Sequence, residues 1–72
     1  MNWIKIIHLK NEEEVAINIT NMSYEEVVET IHKELENNYT IEVENESAIY
    51  VININEIAYM EVRCTNEEKL KD

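Results

Sequence analysis

Few side chains in this 72-residue chain could perform acid–base, nucleophilic or metal chemistry. The chain has two histidines, one cysteine and one aspartate, which is the last residue. His8 lies in a segment typical of a strand, and His32 lies on a predicted helix four residues before Glu36, a spacing that favours a surface pair. Cys64 follows the cation Arg63, but no histidine or asparagine stands at the spacing of a catalytic partner. These patterns indicate a protein that is not an enzyme.

Metal and phosphate sites of the familiar kinds also lack their signatures. The two histidines and the cysteine show no paired ligand spacing, which a structural zinc site would require. Glycine is absent from the chain, and both the calcium-binding loop and the phosphate-cradling loops depend on it. We therefore predict that the protein holds no cofactor and no metal.

The net charge is −10, from fifteen Glu and one Asp against five Lys and one Arg. This balance opposes contact with nucleic acid and with anionic membranes, because their phosphates attract Lys and Arg. A basic protein surface would be attracted instead, and at low salt it would associate faster. The alternative is that the glutamates only keep a small protein soluble.

The chain is long enough for one domain with a thin core. Burial of apolar area contributes ~25 cal/mol per Å², and ordering costs ~1.5 kcal/mol per residue, so a chain of this size ends near zero net stability. The single cysteine excludes an internal disulfide. We therefore expect a homo-oligomer, a dimer or larger, with the edge strand at residues 3–9 or 57–63 in the interface.

Three further features indicate where in the cell the protein is located. The N-terminal residues lack the pattern of a signal peptide, and the longest apolar run, residues 48–52, is too short to cross a membrane. A lone thiol fits a reducing compartment. We expect a cytoplasmic protein with a single α+β domain over residues 1–64 and a polar, frayed tail over residues 65–72.

Apolar periodicity predicts the order strand, strand, helix, strand, strand, strand. The predicted strands cover residues 3–9, 14–20, 39–44, 48–54 and 57–63, and the predicted helix covers residues 24–37. The first two strands should pair as a hairpin. The fourth is nearly all apolar, as expected of a central strand covered on both sides. The fold class is therefore α+β, a small antiparallel sheet, open or curled into a partial barrel, with one helix packed on it.

The helix has the strongest local signal. Ser23 stands at the N-cap and Glu26 completes a capping box. Asn37 and Asn38 offer a left-handed cap at the other end. An apolar stripe lies at helical spacing along one side, formed by Tyr24, Val27, Val28, Ile31 and Leu35. Tyr24 and Tyr39 flank the helix and are expected in the core.

Turns must form without glycine or proline, which are both absent. Asparagine, present ten times, is the expected substitute, because it tolerates the left-handed region. Residues 17–27 also match residues 52–62 at six of eleven positions, with an offset of 35. Either a hairpin unit was duplicated, or the match is chance in a chain rich in Ile, Asn and Glu.

The first functional hypothesis is an interaction module that inhibits a basic, nucleic-acid-binding protein. Glu42 and Glu44 repeat every ~6.6 Å on one face of a strand, where they could imitate a nucleic-acid backbone. Trp3 is either an interface anchor at the start of an edge strand or a lid over one end of the sheet. The predicted contact residues are Trp3, Glu25, Glu29, Glu36, Glu42 and Glu44. In size and composition the chain resembles small proteins of phages and mobile elements in low-GC bacteria, which often inhibit or sequester host machinery.

The second hypothesis is an oligomer that binds a small, nucleotide-like ligand between subunits. Tyr50, Tyr59 and Arg63 are the predicted ligand contacts, with Trp3 as a further contributor. A nucleotide would need cations, and few are available: Arg63, Lys5 and Lys10.

Overall fold

The computed structural model of the chain describes residues 1–37 and 39–65, and confirms the α+β class and the order of elements. The strands are β1 (Trp3–Leu9), β2 (Glu14–Ile19), β3 (Thr40–Glu44), β4 (Ile49–Asn53) and β5 (Ile57–Cys64), and the helix is α1 (Tyr24–Asn37). One turn of 3₁₀ helix, Ile54–Glu56, joins β4 to β5. The predicted tail beyond residue 65 and the predicted cap at Asn38 lie outside the described residues.

The strands divide between two antiparallel sheets that do not close into a barrel. One has the order β2-β1-β5, and the other is the β3–β4 hairpin. β1 and β2 pair as predicted, but β1 is the central strand of its sheet, so the prediction of an edge strand at residues 3–9 is wrong. β1 is central because it is apolar on both faces: Ile6 and Ile7 point to opposite sides and both are buried. The pairing of β1 with β5 has a register shift, a β-bulge or irregularity, between His8 and Leu9.

The prediction for β4 fails in the opposite way: a strand expected to be central lies at the edge of its sheet. Within residues 1–37 and 39–65 it has one strand neighbour, β3, instead of two. Its residues Ile49 and Val51 are 68 % and 66 % exposed. The prediction of a central strand covered on both faces is therefore wrong. An apolar strand can be buried on both sides or can leave one side in water, and composition does not distinguish the two.

The core lies between the two sheets. Ile7 on β1 and Val15 on β2 pack against the inward side of the hairpin, which contributes Ile41, Val43 and Ile52. Side chains of β2 alternate between core and solvent, because Val15 is buried while its neighbours Glu14 and Ala16 are exposed. The hairpin is thus held by its apolar inner face, and its other face is turned to solvent.

The helix begins at its predicted capping box. The backbone N–H of Glu26 donates to Ser23 Oγ at 3.2 Å, and the N–H of Ser23 donates to Glu26 Oε1 at 2.9 Å. Val27 is fully buried, but Tyr24 and Tyr39 are 61 % and 93 % exposed. The expectation that both tyrosines lie in the core is wrong, since they stand at or outside the ends of the apolar stripe. No helix in the described part of the chain has the length and apolar character needed to span a bilayer.

Asparagine makes the turns mainly through its side chain. Asn11 Oδ1 accepts the N–H of Glu13, and Asn45 Oδ1 accepts the N–H groups of residues 47 and 48. Among the described asparagines, only Asn21 takes the expected left-handed conformation, with φ 59°; Glu12 also has a positive φ, 74°. These side-chain bonds replace the turn geometry that glycine would provide.

The two segments of the internal match adopt different structures. Residues 17–27 run from the end of β2 into α1, whereas residues 52–62 run from β4 through the 3₁₀ turn into β5. A duplicated unit would be expected to keep its conformation. The structure therefore favours chance similarity.

Candidate functional site: the outer face of the β3–β4 hairpin

The solvent-facing side of the hairpin combines acidic and apolar side chains. We call this surface the hairpin face; its residues are Thr40, Glu42, Glu44, Ile49, Val51 and Asn53. Glu42 is directly opposite Val51, and Glu44 is directly opposite Ile49. Two carboxylates on one strand thus stand beside two exposed branched apolar side chains on the next. Exposed apolar groups rimmed by charge are typical of interaction sites.

The sequence of the hairpin explains why these side chains point outward. In β3, Ile41 and Val43 are buried, so the period of two sends Glu42 and Glu44 to the opposite side. A tight turn at Asn45 then fixes the register of β4 by side-chain and backbone hydrogen bonds. Every residue of β4 that faces an outward glutamate must itself face outward, whatever its hydrophobicity.

The predicted helix acids form a separate row. Glu25, Glu29 and Glu36 are all exposed, and their spacing of four and seven residues places them on one side of α1. A shallow hollow of about 280 Å³ joins α1 to β3, but the residues that meet there are Glu34 and Glu42. The structure therefore does not show the helix row and the strand carboxylates meeting in one hollow.

Trp3 is almost wholly buried in the folded chain. It is only 8 % exposed, its indole N–H donates to the carbonyl of Met22 at 2.9 Å, and its ring lies 6.1 Å from that of Tyr24. The prediction of an interface anchor assumed that Trp3 starts an edge strand, whereas β1 is a central strand. The alternative prediction, a lid over one end of the sheet, agrees with this burial.

The residues predicted for a small ligand are separated by the fold. Tyr50 is half-buried on the inner side of β4, where it packs against the core. Tyr59 and Arg63 are exposed on β5, in the other sheet. The cations proposed for a nucleotide are also largely occupied, because Arg63 donates to Glu61 and Lys5 is buried 3.4 Å from Glu34. Within one copy of the chain, these residues do not form a common site.

Sequence reasoning missed a compact cluster around His8 on the outer side of the three-stranded sheet. His8 Nε2 lies 3.1 Å from Glu61 Oε1, and Nδ1 lies 3.4 Å from Glu14 Oε2. The imidazole stacks on Tyr59 with ring centroids 4.2 Å apart. Both ring nitrogens face carboxylates, and the contact of Nε2 with Glu61 has hydrogen-bond geometry.

Glu61 is the electrostatic centre of this cluster. Its pKa lies below the ordinary value, first because Arg63 donates a hydrogen bond to the carboxylate and second because His8 does. The pKa of Arg63 is raised by the same contact. These shifts describe mutual neutralisation, which suits a structural cluster. Among the described residues, no three His, Cys, Asp or Glu side chains are placed to hold a metal ion.

Comparison with known proteins adds no family to this description. No family model matches the chain, and neither a curated protein nor a solved structure matches it.

Ile49 and Val51 are the apolar residues of the hairpin face, and sequence reasoning did not identify them as contact residues. The signal that could have found them is the alternation of β3 combined with the turn at Asn45. Together these pair each outward glutamate with an apolar residue of β4. The composition of β4 alone pointed toward burial and concealed the surface.

Proposed function

We propose that the chain is a non-enzymatic, cytoplasmic protein-interaction module whose hairpin face binds a basic surface on a partner protein. The observation that carries this proposal is the cross-strand pairing of Glu42 with Val51 and of Glu44 with Ile49. Within the described residues neither carboxylate forms an ion pair, and both apolar side chains are about two thirds exposed. A partner could therefore satisfy charge and bury apolar area in one contact.

The two kinds of side chain would serve different purposes. Full burial of a Val or Ile side chain contributes about 1.5–3 kcal/mol, so Ile49 and Val51 would supply much of the affinity. Charges at the rim of an interface act mainly on the association rate and on the choice of partner. Glu42 and Glu44 would thus attract and orient a basic partner before the apolar contact forms.

The partner class that fits best is a nucleic-acid-binding protein, which the chain would inhibit. Glu42 and Glu44 are two positions apart on β3, about 6.6 Å, and present negative charge in a row. The net charge of −10 adds long-range attraction. A surface that binds phosphates carries Lys and Arg. The hairpin face would occupy such a surface and exclude the nucleic acid.

The proposal is tested by capture from a lysate of the host cell at low and high salt, with two variants of equal charge change. Glu42→Lys with Glu44→Lys alters the hairpin face, and Glu25→Lys with Glu29→Lys alters only the helix row. We expect the same basic proteins on the wild type and on the helix variant. They should be absent from the hairpin variant and be released by high salt. Equal capture by all three proteins would refute the proposal.

Self-association through an edge strand is a second part of the proposal. β5 pairs with β1 on one side and with no described strand on the other, so its free edge is available for the proposed pairing between copies. Light scattering over a wide concentration range should give a mass of at least twice 8.6 kDa. A constant mass of one chain would show that β5 does not pair between copies.

A further inference from the structure

Among the described residues, one edge of β4 has no neighbouring strand. The N–H of Asn45 donates to the carbonyl of Ala48, and the N–H of Ile54 donates to that of Tyr39, both at 3.0 Å. These bonds mark the two ends of the hairpin. In an antiparallel ladder, bonded and non-bonded pairs alternate. The residues of β4 in the non-bonded pairs are 49, 51 and 53, and their N–H and C=O groups therefore point away from β3.

A groove runs along this free edge. Its volume is about 710 Å³, within the range of sites that bind a ligand. Four consecutive residues of β4, 50–53, line one wall, and the β1–β2 turn with the start of β2, residues 11–15, lines the other. Consecutive residues point alternately inward and outward, so a wall made of four in a row must follow the edge of the strand. No residue of β3 lines the groove.

The groove carries one sign of charge. Glu12, Glu13, Glu14 and Glu56 line it, and neither Lys nor Arg is among its described lining residues. Leu9 contributes an apolar part of the floor. An occupant must therefore offer positive charge together with some apolar area, and it must hydrogen-bond an open strand edge.

We propose that the groove binds an extended, basic segment of the partner protein, which adds to the hairpin as a third strand along the free edge of β4. The inference rests on the proposed function and specifies its contact. Main-chain hydrogen bonds to the outward-facing residues of β4 give affinity; these are Ile49, Val51 and Asn53, and the last two also line the groove. The glutamates select a lysine- or arginine-rich strand. The added strand would lie about 4.8 Å from β4 and would extend the hairpin face.

A second copy of the chain fits this edge poorly. Pairing β4 with its symmetry mate would bring two sets of groove glutamates together, in a protein that already carries a net charge of −10. Like charges brought together across an interface oppose association. A basic strand would bring positive charge to the groove glutamates, whereas a second copy would bring more negative charge to them.

The test uses the full chain and a synthetic seven-residue peptide in which Lys and Val alternate. One control peptide has Glu in place of every Lys. Another keeps the sequence but is N-methylated at alternate residues, so that it retains the charge and loses donors. Binding is followed by titration, and hydrogen exchange of backbone amides is read by NMR. We expect the lysine peptide to slow exchange at Ile49 and Val51, and both controls to bind about tenfold more weakly or not at all.

A variant of the chain provides an independent readout. Val51→Pro removes an outward-facing N–H and no bond of the β3–β4 ladder, a position that an edge strand tolerates. Val51→Ala shortens the same side chain and keeps the N–H. We expect the proline variant to bind the lysine peptide about tenfold more weakly than the alanine variant. If the proline variant does not fold, the exchange measurement on the wild type decides.

Three results would overturn the inference. The first is no detectable binding of the lysine peptide, and the second is binding that N-methylation leaves unchanged without protection at residues 49 and 51. The third is protection of these amides in the free protein that rises with its concentration, which would assign the edge to a second copy. The second result is compatible with the proposed function, since charge would then act on the hairpin face alone. Failure of the proposed function is detected separately, by capture that is insensitive to the Glu42 and Glu44 substitutions.

Discussion

The two solvent-facing sheet surfaces of the molecule use similar residues to opposite effect. On the three-stranded sheet, the carboxylates around His8 are met by the imidazole and by Arg63, and Tyr59 covers the ring. On the hairpin face, Glu42 and Glu44 have no ion-pair partner among the described residues, and the adjacent Ile49 and Val51 are uncovered. A surface that satisfies its own charges has little left to offer a partner. This contrast is why we propose the hairpin face, and not the cluster around His8, as the interaction surface.

The largest expected effect is on the apolar half of the hairpin face. Replacing both Ile49 and Val51 with Ala should weaken partner binding about 100-fold, because the area that the partner covers is lost. Stability should fall by no more than about 1 kcal/mol per site, since both side chains are already mostly in water. Surface-based binding assays with the captured partner and urea unfolding measure the two effects.

Leu35→Ala is the control for this substitution, because it shortens a partly exposed apolar side chain on α1. Binding by this variant should equal that of the wild type. If the hairpin variant and the helix variant bind alike, the exposed apolar pair is not an interface.

The next effect is on the acidic half of the hairpin face. Glu42→Lys with Glu44→Lys should slow association about tenfold at low salt and change dissociation much less, as expected for rim charges. The difference from wild type should shrink above physiological ionic strength, where screening acts within ~8 Å. Stopped-flow or surface-based kinetics at several salt concentrations resolve the two rates. A change confined to dissociation would place these carboxylates inside the contact instead of at its rim.

The local structure of both surfaces could be predicted from the sequence. The neighbours of each strand and the contacts of the cluster around His8 could not. The capping box at Ser23, the β1–β2 hairpin and the outward direction of Glu42 and Glu44 follow from local rules of capping and alternation, and all are confirmed. The contact between His8 and Glu61 joins residues 53 positions apart, so no local pattern indicates it. The neighbours of β1 and β4 depend on how two sheets divide five strands. The apolar content of β1 and β4 is similar, so it does not determine which of the two becomes a central strand.

A pH titration of stability sharpens the other side of the comparison. The folded-state pKa of Glu61 is depressed, so its ionised form stabilises the fold above the ordinary value of 4.5, and this stabilisation is lost as the pH falls through the lowered pKa. Glu61→Gln should therefore be less stable than wild type at pH 7, and the gap should close in acid. Urea unfolding at several pH values measures it.

Ser23→Ala is the matched control for the titration. It should cost about 1 kcal/mol by removing the N-cap hydrogen bond, at neutral and acidic pH alike, because a hydroxyl does not titrate there. A gap for Glu61→Gln that stays constant with pH would contradict the electrostatic role of Glu61.

The smallest expected effect distinguishes the interaction module from a small-ligand protein. Arg63→Gln and Tyr59→Ala alter exposed residues of β5 that lie outside the hairpin face and outside the groove. Partner binding should change by less than about twofold, which is the range of surface substitutions outside the partner-binding surface. A protein that binds a nucleotide-like ligand would respond in the opposite way, since Arg63 would lose its contact with phosphate and Tyr59 its stacking. Native mass spectrometry of the wild type and both variants tests this directly. A small molecule retained by the wild type and lost from either variant would place the functional site on β5. The three-stranded sheet, and not the hairpin face, would then carry the binding surface.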